Sequence, residues 1–106
     1  MNPNKAVDFI LEHAPEYAKA KAERVYIEEY RKSLKAILFQ QSDGKTISDR
    51  EAYAYSHQDY LTNLAGLREA VEAEETMRWK LVAAQARIEI WRSTEATSRA
   101  AERMFK

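Results

Sequence analysis

Three glutamates at three-residue spacing, Glu69, Glu72 and Glu75, with Glu74 alongside, come closest to a metal-binding pattern in this chain. Carboxylates three apart share one face of a helix, where they can hold Mg²⁺. A helical site of that kind needs a second acidic motif on a facing helix. Here Glu89 is followed at the third position by Arg92, and Glu95 by Ser98, so a solvated acidic face is the plainer reading. His13 and His57 are the only histidines, and neither has Glu three positions before it, as di-metal carboxylate bundles require. They read as a helix-end residue and a turn residue. No serine lies in a G-x-S-x-G elbow, and neither glycine belongs to a phosphate-cradling loop. The expectation is a non-enzymatic chain with no cofactor and no metal.

Residues suited to binding are more plentiful. Six tyrosines, at 17, 26, 30, 53, 55 and 60, are interleaved with Lys19, Lys21, Arg24, Arg31, Lys32 and Lys35. Such a pattern can stack bases along a basic groove, although ordinary packing, with the ring buried and the hydroxyl in water, is the plainer reading. Toward the C-terminus Arg87, Arg92, Arg99, Arg103 and Lys106 form a basic arm, set against Glu89, Glu95 and Glu102. Those five cations are the candidate nucleic-acid contacts. Trp79 and Trp91, twelve residues apart, point about 120° apart on an ideal helix. One surface cannot easily bury both, and tryptophan anchors interfaces. Trp79, Trp91, Arg92, Arg99 and Arg103 are therefore the candidate partner-binding residues.

The elements that carry them are helical. Gly and Pro total four, at Pro3, Pro15, Gly44 and Gly66, which is few for a sheet protein. The 106 residues fit a single domain, here read as an all-α antiparallel hairpin. A short helix is expected over 4–14, capped by Asn4, and a long helix over 15–41 with Pro15 in its first turn. Ser42–Lys45 is a turn. Ser48-Asp49-Arg50-Glu51 matches a capping box and opens a helix over 48–56. A very long helix follows over 59–104, on the order of 70 Å at 1.5 Å per residue. Its seam is expected to start Tyr60, Leu64, Leu67, Val71 and to shift sideways near Glu74–Arg78 onto Met77, Leu81, Ala84, Ile88 and Trp91. The sequence leaves open whether that helix bends at Gly66 or starts after a break at Ser56–Asp59.

No other element is long enough to cover this helix, so the uncovered part is expected to meet a second copy, forming a dimer, or another protein. Charge is uneven as well: residues 43–76 carry three basic and eight acidic groups, residues 77–106 seven basic and three acidic. The plainer reading is solubility; the sharper one is that opposite ends attract in an antiparallel pair, or that the basic end meets an acidic partner. The absence of cysteine, of a long apolar run and of an apolar leader points to a cytoplasmic protein with no membrane span.

Two stretches, Leu81-Val82-Ala83-Ala84-Gln85-Ala86-Arg87-Ile88-Glu89-Ile90-Trp91-Arg92-Ser93 and Ala18-Lys19-Ala20-Lys21-Ala22-Glu23-Arg24-Val25-Tyr26, resemble a group of small helical proteins encoded by bacteriophages and prophages. The resemblance implies a phage accessory protein acting on DNA recombination or replication or on a host factor, and transfers no functional residue.

Overall fold

Residues 2–105 are described by the structure, a computed structural model. They form three helices, α1 (Pro3–Gln41), α2 (Ile47–Ser56) and α3 (Gln58–Met104), with no strand among the described residues. The chain is an all-α helical hairpin with a long C-terminal helix.

Each helix starts on a polar side chain, though not always the expected one. Asn2, rather than Asn4, opens α1: its Oδ1 accepts the Asn4 amide at 2.9 Å, and Pro3 fills the first helical position, where a missing N–H costs nothing. Thr46 opens α2 in place of the Ser48 capping box, accepting the Asp49 amide on Oγ1 at 3.0 Å. His57 is the single residue between α2 and α3. Its backbone N–H bonds back to the Ala54 carbonyl, and its Nδ1 accepts the Asp59 amide at 3.0 Å. The break expected at Ser56–Asp59 is therefore one residue wide.

The largest departure from the sequence reading is at Pro15. A helix boundary was expected there, yet α1 runs through it without interruption. Proline lacks the N–H that would donate a hydrogen bond to the carbonyl four residues back, and its ring crowds that carbonyl, at a cost of about 3 kcal/mol, but it does not forbid a helix that is supported on both sides. Here the flanking segments 3–14 and 16–41 are both helical, so the separate short N-terminal helix merges into α1.

Two units pack separately, one taking in Met1–Ala18 and Glu75–Lys106 (the terminal unit), the other Lys19–Glu74 (the central unit). In the central unit Leu34, Leu38, Ala54 and Tyr60 form a buried cluster that joins all three helices. Arg50 of α2 closes the end of α1, donating from Nη1 to the Phe39 carbonyl at 3.2 Å and from Nε to the Gly44 carbonyl at 3.0 Å. It thus satisfies a carbonyl that a helix C-terminus leaves orphaned. Gly44 does not have a positive φ; it is needed for space, because a Cβ there would lie 2.7 Å from Asp49 Cβ.

Farther along, Arg24 of α1 grips Glu74 of α3 with two bonds, Nε to Oε2 at 2.6 Å and Nη2 to Oε1 at 3.0 Å. Its Nη1 bonds Glu28 at 2.8 Å. The bonds to Glu74, then Glu28, hold the guanidinium pKa above its ordinary value against the opposing effect of burial. The covered face of α3 in this unit is Tyr60, Asn63, Leu67, Ala70 and Glu74, not the Tyr60–Leu64–Leu67–Val71 seam expected. Leu64 and Val71 are 36% and 41% exposed. Small Ala70 lets α1 approach, and the buried carboxylate of Glu74 is acceptable on that face because Arg24 meets it.

Candidate functional site

In the terminal unit the first turns of α1 run antiparallel to the second half of α3, with Ala6 and Ala84 buried at the contact. Met77, Leu81 and Ile88 are partly covered, as the shifted seam predicted, but Trp91 is not part of it. Every residue from 89 to 105 is exposed.

The sequence-predicted site residues do not meet on one surface. At about 100° per residue, Trp79, Trp91 and the row Arg92–Arg99–Arg103 occupy three directions roughly 100–140° apart around α3. Trp79 is 58% exposed, and the Arg78 guanidinium lies 4.6 Å above its ring while bonding Glu75 at 2.9 Å. Arg92 pairs with Glu89 at 3.4 Å. Arg99 and Arg103 share its side of the helix, within roughly 40°. Lys106 lies outside the described residues. The acidic group disperses as well: Glu74 is taken by Arg24 and Glu75 by Arg78. Among the described residues no cluster of three or more His, Asp or Glu is placed to hold a metal ion.

Two openings are brought together instead. A cleft of about 450 Å³ lies between α1 and α3, lined by Lys5, Phe9, Lys80, Ala83, Ala84 and Arg87. Its floor is apolar and its rim carries three cations, none with a side-chain ion pair among the described residues. A second groove of about 340 Å³ follows on the same face, lined by Arg87, Ile90, Trp91 and Thr94. Arg87 borders both. Three cations around an apolar floor suit a negatively charged group carried on an apolar body.

Of these residues the sequence reading named Arg87 and Trp91 as site residues, placed Ala84 only in a packing seam, and missed Lys5, Phe9, Lys80, Ala83, Ile90 and Thr94. Lys80, Ala83, Ala84 and Arg87 follow the i, i+3, i+4, i+7 pattern of one helix face, so that half was open to inspection. The α1 half was hidden by the expected break at Pro15, which left residues 5 and 9 on a separate short helix with no assigned neighbour.

The tyrosines divide between packing and surface. Tyr60 is in the core and meets Tyr55 edge-on at 5.3 Å. Lys35 lies 4.6 Å over the Tyr55 ring, and its bond with that tyrosine raises the ammonium pKa. Tyr26 and Tyr30 stack at 6.3 Å on the outside of α1. Tyr53 and Tyr60 belong to different helices, and Tyr53 packs on His57. His13 is mid-helix rather than at a helix end, with its ring against Phe9 and Nδ1 2.9 Å from Glu16 Oε2.

Among the described residues no helix is long and apolar enough to cross a membrane. No family model, curated protein or solved structure matches this chain.

Proposed function

We propose that this is a non-enzymatic helical interaction protein whose docking surface is the exposed second half of α3. The observation that carries this reading is the pair of large apolar side chains left in water at the second groove, Ile90 at 66% and Trp91 at 43% exposed, with Met104 (81%) and Phe105 (89%) exposed again about 20 Å farther along. Exposed apolar surface rimmed by charge marks interaction sites. Trp91, set in a groove between Arg87 and Thr94, is the anchor. The occupant is a second copy, another protein, or both in turn. On the resemblance to phage and prophage proteins, the first partner to look for is a component of DNA recombination or replication.

Affinity capture from bacterial lysate, with wild type and an Ile90→Ser/Trp91→Ala variant in parallel, tests the reading. Wild type is expected to recover itself or a discrete protein, and the variant to lose it. Recovery unchanged by the double substitution would overturn the assignment.

A second reading, direct nucleic-acid binding, is favoured by one arrangement, the row Arg92, Arg99 and Arg103 on one side of the exposed arm. Three phosphate contacts predict affinity that falls with salt at a log–log slope of about −2.7. A protein that binds no DNA at low salt removes this alternative and leaves the first.

A further inference from the structure

Two ladders with the same spacing stand side by side on the open face of the terminal unit. On α1 it is Lys5, Asp8, Phe9 and Glu12, and on α3 it is Lys80, Ala83, Ala84 and Arg87, each at i, i+3, i+4, i+7. Lys5 and Phe9 of the first ladder and all four residues of the second line the same cleft. One helix offers a cation, Lys5, and then a large ring between two carboxylates; the other offers two alanines between two cations. Glu12 is 76% exposed and the cations carry no partner among the described residues.

We propose that this face is self-complementary, and that a second copy of the chain docks on it to form an isologous four-helix bundle. A two-fold axis running along the helices sets α1 of one copy against α3 of the other, antiparallel and at the same height. Phe9 of each copy then fills the space above Ala83 and Ala84 of its mate. Asp8 and Glu12 of each copy reach the Lys80–Arg87 row opposite, so both charge sets are satisfied twice by one operation. The occupant is specified by charge and by size together: a large residue faces small ones, and the Asp8 and Glu12 carboxylates face the Lys80 and Arg87 cations. The bundle leaves residues 91–105 outside it, free for another protein. The dimer rests on the docking reading and gives part of it a definite partner.

Charge exchange tests this directly. In sedimentation velocity at tens of micromolar, wild type is expected to be a dimer. Lys80→Glu/Arg87→Glu places like charges opposite one another and is expected to weaken the dimer about a hundredfold or more, as is Asp8→Lys/Glu12→Lys. All four positions are exposed, and circular dichroism of each variant checks that helicity is kept. Mixing the two variants restores opposite charge at both contacts, so a mixed dimer is expected to return. A monomeric wild type, a dimer indifferent to both reversals, or no recovery on mixing each overturns the proposal. A monomeric wild type that still captures another protein through Trp91 overturns the dimer alone and leaves the docking reading in place.

Discussion

The central and terminal units use the same two long helices in different ways. In the central unit α1 and α3 are joined by a third helix, a core of Leu34, Leu38, Ala54 and Tyr60, and two arginine clamps, Arg24 on Glu74 and Arg50 on the end of α1. In the terminal unit the fully buried contact residues are alanines, Ala6 and Ala84, and the larger side chains Phe9, Ile90 and Trp91 are half-covered or exposed. Alanine contributes little burial energy, since each buried CH₂ is worth only about 0.8 kcal/mol. The difference teaches that the large buried side chains, and with them most of the burial energy, lie in the central unit, whereas the terminal unit leaves its larger apolar side chains exposed.

Substitutions can break or sharpen that contrast. Leu38→Ala is expected to lower the stability measured by urea unfolding by about 3 kcal/mol, because it empties a fully buried site. Ile90→Ala, studied at concentrations where the chain is monomeric, is expected to change it by less than about 0.5 kcal/mol. Equal losses would erase the distinction between the units. Pro15→Ala acts with the opposite sign. It returns the amide that the interior of α1 lacks and is expected to raise stability by up to about 3 kcal/mol, seen as a higher Tm. Gly44→Ala pushes a Cβ to 2.7 Å from Asp49 Cβ, in the turn that Arg50 clamps. It is expected to cost about 1–3 kcal/mol in urea unfolding, the range for overpacking. A modest gain is expected at Gly66, in the middle of α3, where an added Cβ would meet nothing within 4 Å. Gly66→Ala is expected to stabilise by about 1 kcal/mol, and a loss would place an unseen contact on that face.

The all-α architecture was legible in the sequence because glycine and proline are scarce and the few turn residues are clustered. Ser42–Lys45 was visible for the same reason, whereas the break near His57 was one of two possibilities that the sequence left open. Helix starts were less so. Asn2 and Thr46 are as good caps as Asn4 and Ser48, and local sequence does not say which of two neighbouring caps closes first. Pro15 misled because its cost is local, whereas the continuity of α1 depends on segments to either side. The seam on the first part of α3 misled for a related reason. Apolar periodicity cannot announce that Glu74 will be buried, since the guanidinium that makes burial tolerable sits fifty residues away on α1. The terminal cleft needed both halves of the hairpin in register, so only its α3 ladder was readable.

Ile90 and Tyr26 offer a matched comparison, since both are 66% exposed and they sit in different units. A photo-crosslinking residue placed at one or the other position samples the terminal and central surfaces with equal access. The account predicts a discrete adduct, to a second copy or to another protein, from position 90 and none above background from position 26. Equal yields from the two positions would contradict the assignment of docking to the second half of α3.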